Sequence, residues 1–362
     1  MTTTTAPTTG RSRAFHTLEV AAVQRLCDDA VAVTFAVPDR LADEFHFRPG
    51  QFLTLRRTVD GVEQRRSYSI CAAQGAAPRV GVREVSGGLF SNWLVHEVTP
   101  GDRVEVQPPS GSFVADPASA GRHLLVGAGS GITPLLSIAA SLLANPDSRV
   151  TLLYGNRRTR SVMFADELAD LKDAYGERFS LIHVLSREPR DVELFSGRID
   201  ADRLREILTA LVDIDGIDHA WICGPHGMVD DTVTVLADFG VAADRVHREL
   251  FYAGDTPPPP EPHREPGTTG PSSRVTITLD GRSTTADLPR DRTILDAAEQ
   301  VRSDLPFACK GGVCGTCRAK ITDGAADMRR NYALEDSEIA AGFVLTCQSY
   351  PITDALTVDF DA

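Results

Sequence analysis

Four cysteines near the C-terminus carry the most specific chemistry in the chain. Cys309, Cys314 and Cys317 are spaced C-x4-C-x2-C within Cys309-Lys310-Gly311-Gly312-Val313-Cys314-Gly315-Thr316-Cys317, and Cys347 follows further on. That spacing suits a [2Fe–2S] cluster. Three thiolates converge from one loop, and small intervening residues let backbone N–H groups reach the sulfurs and stabilise their negative charge. The alternative is a structural zinc with four cysteine ligands, which more often pairs two C-x2-C knuckles. In a reducing compartment such a cluster holds metal more often than disulfides. Cys27 and Cys71 read as core residues.

A second constellation is Gly127-Ala128-Gly129-Ser130-Gly131-Ile132-Thr133-Pro134, after an apolar run and opening a helix. Glycines let the backbone approach a pyrophosphate, and a helix N-terminus adds N–H donors and a positive dipole. Ile132 stands where the G-x-G-x-x-G pattern has its last glycine, so a plain glycine-rich turn is the competing reading. A third is Arg66-Ser67-Tyr68-Ser69. A guanidinium pairs with phosphate, a phenol ring stacks on a flat heterocycle, and a hydroxyl hydrogen-bonds it. Its competing reading is a strand with a solvated arginine.

These residues need elements to position them. Across residues 14–115, Val31, Val33 and Phe35 alternate with Ala32 and Thr34, Gln51 to Leu55 alternate again, and Asp60-Gly61 signals a hairpin. Short strands at this spacing predict a closed antiparallel barrel. Residues 116–252 change rhythm: helix 134–144, strand 150–154, helix 164–175, strand 179–185, helix 202–211, strand 220–223 and helix 228–239. Such alternation predicts parallel βαβ units and a nucleotide-binding α/β domain. Residues 253–273 carry seven prolines and little to pack, an extended linker. In 274–362 an alternating strand turns at Asp280-Gly281. Thr293 then caps a helix whose buried face is Ile294, Ala297, Ala298 and Val301.

The 37 basic and 50 acidic residues give a net charge of −13, spread along the chain. This argues against a nucleic-acid or anionic-membrane surface. No apolar run approaches a membrane span. Residues 1–13 form a Thr-rich tail, expected to be disordered, without the apolar core of a signal peptide. The expected location is the cytoplasm.

Taken in order, the motifs resemble the ferredoxin–NADP reductase superfamily fused to a plant-type ferredoxin. Pro49-Gly50-Gln51-Phe52 resembles the family's barrel motif, Arg66-x-Tyr68-Ser69 its flavin signature, and Gly87-Gly88-Leu89-Phe90-Ser91 its second flavin-phosphate segment. Gly127 to Pro134, Tyr154-Gly155-Asn156-Arg157 and Cys223-Gly224-Pro225-His226-Gly227-Met228 resemble its nicotinamide signatures. Within the superfamily, Arg66 to Cys71, Asn331 to Glu335 and Leu345 to Ser349 look most like the reductase subunits of phenylacetyl-CoA epoxidases.

The resemblance implies a multidomain chain: an FAD-binding antiparallel β-barrel, an α/β parallel-sheet NAD(P)-binding domain and an α+β β-grasp ferredoxin domain. It implies that Arg66 holds the FAD pyrophosphate with backbone help at Gly87, Gly88 and Ser91. Ser67 would assist, Tyr68 would stack on the isoalloxazine, and Ser69 would hydrogen-bond near flavin N5. Val82 and Arg83 would lie on a strand passing the FAD. Gly127, Gly129, Gly131, Thr133, Gly224 and Met228 would frame the nucleotide, with Cys223 beside the nicotinamide and Phe251 over the flavin. Cys223 and Phe251 equally suit core packing. Arg157, Arg158, Arg160, Ser186 and Arg187 suit the 2′-phosphate of NADPH, or a solvated basic edge. Cys309, Cys314, Cys317 and Cys347 would bind the cluster.

The chemistry then orders the centres. A nicotinamide gives a hydride, a [2Fe–2S] cluster takes single electrons, and a flavin handles both. The chain shows neither a Rieske Cys/His pattern nor a Glu-x-x-His pair, so oxygen activation is expected on a partner. The expected role is electron supply to a multicomponent, di-iron oxygenase acting on phenylacetyl-CoA. Alternatives are a reductase for ring- or steroid-hydroxylating oxygenases, or a nicotinamide-binding redox sensor without fast turnover.

Overall fold

The computed structural model describes residues 14–251 and 272–362. The Thr-rich tail and linker residues 253–271 lie outside the described residues.

The first six strands are β1 (His16–Cys27), β2 (Ala30–Ala36), β3 (Phe52–Val59), β4 (Val62–Ser69), β5 (Arg79–Arg83) and β6 (Arg103–Val106), with helix α1 (Leu89–His96) between the last two. They form one antiparallel sheet in the order β4-β3-β6-β1-β2-β5. Ile70, just past β4, bridges Val80 in β5 and closes the barrel. The turn between β3 and β4 puts Asp60 at φ 51° and Gly61 at φ 76°, as a two-residue I′ hairpin demands. Val31, Val33 and Phe35 fill the barrel, but Ala30 and Ala32 on the opposite face of β2 are buried too. They pack into the core of the next domain, so the expected alternation is one of size rather than of burial.

That domain contains β7 (Arg122–Ala128), α2 (Ile132–Leu143), β8 (Arg149–Asn156), α3 (Ala165–Tyr175), β9 (Phe179–Leu185), α4 (Ala201–Leu211), β10 (His219–Gly224), α5 (His226–Asp238) and β11 (Val246–Leu250). The sheet order is β11-β10-β7-β8-β9, every neighbouring pair parallel. The chain reverses its direction of travel between β7 and β10, where open α/β sheets bind ligands beyond their carboxyl ends. Helix α2 is buried nearly all round, because it lies between sheet and barrel. Ser137 Oγ donates to Ala72 O at 2.6 Å, and Gln74 N–H donates to Ser141 Oγ at 2.9 Å. These bonds tie α2 to the barrel side of the interface.

The C-terminal unit holds β12 (Ser272–Leu279), β13 (Arg282–Pro289), α6 (Ile294–Ala298), β14 (Arg318–Asp323), β15 (Ala326–Met328), α7 (Asp336–Ala340), β16 (Phe343–Leu345), β17 (Ser349–Pro351) and β18 (Ala355–Asp359). Its main sheet runs β13-β12-β18-β14-β16 with α6 packed against it. Ser272 and Ser273, expected in the linker, already belong to β12, where the Ser273 hydroxyl donates to Thr353 O at 2.6 Å. Thr293 Oγ1 accepts the Asp296 N–H at 3.2 Å and caps α6 as expected. Val301 corrects the sequence reading: the helix ends at Ala298 and Val301 is 49% exposed. Arg302 just beyond donates to the carbonyls of Leu279 and Arg282 and diverts the chain.

At the amino ends of β7, β10 and β11 three histidines stand side by side. His123 and His219 stack at 5.9 Å, His247 and His219 share a 3.2 Å hydrogen bond, and His247 stacks on Trp221 at 4.1 Å. Burial, then the charge on His219, pushes both His123 and His247 down to about 4. The fold therefore holds neutral rings that the unfolded chain protonates below its ordinary value near 6.5. Stability is intact above that value and is lost progressively as pH falls from about 6.5 towards 4. We predict that the unfolding midpoint, followed by fluorescence of Trp93 and Trp221, drops between pH 7 and pH 5. The drop shrinks in His247→Gln; an unchanged pH response in that variant rules the ring out.

Candidate functional site

Strand β4 presents Arg66, Ser67, Tyr68 and Ser69 in succession. Arg66 is exposed; its Nη1 donates to Arg65 O at 2.6 Å, and among the described residues no carboxylate pairs with it. Ser67 Oγ lies 3.5 Å from Thr54 Oγ1. Tyr68 packs 6.0 Å from Phe90, and burial pushes its phenol up. Gly88 precedes α1, whose first turn has no side-chain cap, so its leading N–H groups stay open. Ser91 Oγ instead braces the approach, accepting Val85 N–H at 3.1 Å and donating to Gly88 O at 3.4 Å, with Gly87 at φ 71° beside it. Val82 points into the barrel core, and Arg83 is engaged by Asp29 at 3.3 Å and by the Ser161 carbonyl.

The glycine loop sits at the switch point. A Cβ on Gly131 would lie 2.1 Å from Cys223 O, so the loop and the end of β10 touch backbone to backbone. Gly129 takes φ 56°, and its carbonyl accepts the Tyr154 hydroxyl at 2.9 Å. Thr133 donates to Ser130 O at 3.0 Å. Gly127 and Gly224 flank the cleft, with Leu135 and Met228 filling the space their side chains would need. Phe251 donates its N–H to Gly224 O at 2.9 Å. Beyond β8 and β9 the loops join: Ser186 N–H donates to Asn156 O at 2.9 Å and Arg187 N–H to Arg157 O at 2.8 Å. Arg157, Arg158, Arg160 and Arg187 are exposed there. The neighbouring carboxylate, Glu188, accepts from Thr159 at 2.9 Å and 2.6 Å.

The two halves meet at a residue that sequence reasoning missed. Glu249 on β11 lies in register with Cys223 on β10. Its Oε2 accepts from Ser69 Oγ at 3.4 Å and lies 4.0 Å from Cys223 Sγ. Burial pushes the Glu249 carboxyl up to about 8, against a smaller lowering by Ser69, and it raises the Cys223 thiol well above its ordinary value. A signal was present: strand period puts Glu249 on the face of Phe251, two residues on.

In the C-terminal unit the sulfurs gather in pairs, Cys309 with Cys314 and Cys317 with Cys347. Among the described residues no three such donors surround one ion position. Cys309 is held down to about 5, first by the Cys314 hydrogen bond and, against burial, by N–H groups of Gly311, Val313 and Cys314. Cys347 is lowered first by Cys317, then by Gly312 N–H and the Gln348 side chain. Thr346 donates from N–H and hydroxyl to Cys317 O at 3.2 Å and 3.0 Å, clamping the two ligand segments together. In each pair the partner thiol, Cys314 or Cys317, is raised, first by the cysteine it bonds and then by burial. Two such pairs, each with backbone N–H groups at one sulfur, suit two irons better than one zinc. The open arginine and helix turn suit a flavin pyrophosphate, and the loop whose glycines a Cβ would block suits a dinucleotide.

Barrel, parallel sheet and thiolate loop together define an NAD(P)H-dependent flavin and iron–sulfur oxidoreductase. Family models match an oxidoreductase FAD-binding domain at residues 17–114, an oxidoreductase NAD-binding domain at 125–234 and a 2Fe-2S iron-sulfur cluster binding domain at 277–351. The chain belongs to the ferredoxin-reductase family that carries these three domains in one polypeptide. It is 43% identical to a subunit of the 1,2-phenylacetyl-CoA epoxidase of Escherichia coli K12, covering 96% of this chain and 98% of that protein. It is 36% identical to the ferredoxin reductase component of 3-ketosteroid-9-alpha-monooxygenase from Rhodococcus rhodochrous, over 99% and 100% of the two chains. Phthalate dioxygenase reductase shares the fold, with a TM-score of 0.59 at 24% identity over 96% of this chain and 98% of that one. Among the described residues no helix is long and apolar enough to cross a membrane.

Two outcomes test the site. Below about pH 8 Glu249 holds its proton; above it a carboxylate stands beside Ser69 and Cys223, and a negative charge there would oppose hydride delivery to a flavin bound against Ser69. Flavin reduction by NAD(P)H therefore slows above about pH 8, and Glu249→Gln flattens that limb; a wild-type profile in the variant contradicts the assignment. Cys317→Ser loses bound iron and the cluster's visible absorbance but keeps FAD and NAD(P)H-driven ferricyanide reduction. Loss of both activities together denies the cluster its separate place.

Proposed function

We propose that the chain is the reductase of a multicomponent oxygenase, carrying electrons from NADPH to an oxygenase that acts on phenylacetyl-CoA. The single observation behind this reading is 43% identity to the phenylacetyl-CoA epoxidase component over 98% of that protein's length. Its domains are then the FAD-binding barrel at 14–115, the NAD(P)-binding domain at 116–252, a linker at 253–271 and the ferredoxin domain at 272–362, which takes in Ser272 and Ser273 of β12. The oxygenase would be of the di-iron type, and the complex cytoplasmic. A bound flavin accepts hydride and releases electrons singly to a [2Fe–2S] cluster.

The chain's own residues do the rest. Arg66 and the open N–H groups of α1 hold the pyrophosphate, while Ser67 and Tyr68 line the flavin. Ser69, Glu249 and Cys223 form a hydrogen-bonded edge against which the nicotinamide is oriented, with Phe251 closing it from beside Gly224. The carboxyl of Glu249 keeps its proton near neutral pH while its Oε2 accepts from Ser69 Oγ. Arg157, Ser186 and Arg187 grip the adenosine end, and cations there favour a 2′-phosphate. The four thiolates hold the cluster.

A second reading, a steroid-hydroxylating oxygenase reductase, is favoured by the 36% identity to the Rhodococcus component. The two separate when the purified reductase is mixed with each oxygenase and its substrate. NADPH-driven oxygen uptake is expected with phenylacetyl-CoA; coupling to the steroid system alone overturns the first reading. For the nucleotide, kcat/KM is expected to favour NADPH, and Arg187→Ala to lose roughly 1.5–3 kcal/mol of that preference, the range of a hydrogen bond to a charged group. Equal kcat/KM for NADH and NADPH in the unaltered enzyme refutes the phosphate assignment.

A further inference from the structure

At Gly81 the barrel meets the nucleotide domain with no side chain of its own. A Cβ on Gly81 of β5 would lie 2.5 Å from Thr133 Cγ2 and 2.8 Å from Phe164 Cζ. Neither neighbour is free to yield. Thr133 and Phe164 are each 1% exposed. Thr133 is fixed by its hydroxyl bond to Ser130 O at 3.0 Å. Phe164, at the cap of α3, takes φ 59° and ψ 32°, a left-handed conformation rare for a bulky side chain. Its ring is covered by the Arg79 guanidinium at 5.2 Å, which also bonds Gln24 on β1 at 2.8 Å and Glu167 on α3 at 2.7 Å. A strained aromatic buried at a domain interface is over-determined by its surroundings. The partner of Gly81 across the sheet, Ala32, faces the same interface and is equally slight.

We propose that Gly81 is a positioning residue: its bare backbone, clasped by Thr133 and Phe164, sets the separation of barrel and nucleotide domain and with it the distance a hydride crosses between nicotinamide and flavin. The inference rests on reading Ser69, Glu249 and Cys223 as the hydride edge. Ser69 rides on the barrel and the other two on the parallel sheet. Their bridging bond, at 3.4 Å, is already long for O–H···O. The bonds from Ser137 and Arg79 pin the interface on either side of Gly81, so a methyl group inserted between them acts as a wedge. Displacement on the order of an ångström at a reacting pair costs up to about a hundredfold in rate.

The experiment uses the intact holoenzyme with Gly81→Ala. FAD content should stay full, because Arg66 and α1 are untouched. Mixing anaerobic enzyme with NADPH should give much less of the long-wavelength charge-transfer absorbance of a nicotinamide stacked on flavin, and bleaching about tenfold slower. Adding Thr133→Ser and Phe164→Leu, which clears the space, should restore both signals. Unaltered absorbance and bleaching in Gly81→Ala overturn the proposal, as does a defect that the shortened partners leave unrepaired. Unchanged bleaching in a separate Ser69→Ala protein instead refutes the hydride-edge reading.

Discussion

A hydride moves only between groups in contact, and in this chain those groups are carried by two different sheets. The structure answers with a seam rather than a hinge. Helix α2 bonds the barrel through Ser137, and Arg79 and Arg83 reach from β5 to α3 and to Ser161. Ser69 and Glu249 bond across the seam itself. Burial makes each contact matter: a polar group left unpaired there costs about 1–3 kcal/mol. The same burial raises Glu249 into the range where it holds a proton at neutral pH. Geometry and protonation of the edge thus follow from a single cause, exclusion of water between the sheets.

How much of this the sequence discloses depends on whether a signal is local. Turn chemistry is local, and Asp60-Gly61 and Asp280-Gly281 both adopt the positive φ values their residues favour. Period is local as well, so the βαβ order from 116 onward and the Thr293 cap were legible. The burial of Ala32 was not, because it depends on what packs outside the barrel. Val301 fits a helical stripe, yet nothing in the stripe says that the helix stops at Ala298. Glu249 is the instructive omission. An acidic residue on an edge strand reads as solvated; strand period sets it on the face of Phe251, but its partners come from the register with Cys223 and the arrival of Ser69 from elsewhere in the chain.

The cluster loop is legible for the opposite reason. Three of its four thiols lie within nine residues, so spacing alone encodes the convergence, and Gly311, Gly312 and Val313 supply the N–H groups that favour thiolates. The clamps by Thr346 and Gln348 are tertiary, since they join the fourth cysteine's segment to the carbonyls of Cys317 and Lys310. A site of this kind depends little on the rest of the chain, and the C-terminal unit keeps its own core around Val275, Ile277 and Leu345.

This contrast explains where the chain invests rigidity. Atom transfer needs the barrel and the nucleotide domain held to a fraction of an ångström, and those two share a core, buried hydrogen bonds and a strained aromatic. Electron transfer carries no atom across, so it does not require the donor and acceptor to touch. The sequence joins the two functions by residues 253–271, whose seven prolines and scarcity of apolar side chains suit a spacer. A tether needs only to keep the cluster at an effective concentration of order mM. The exposed thiol of Cys309 suits electron transfer at the surface of its own unit, a transfer that does not call for a core shared with another domain.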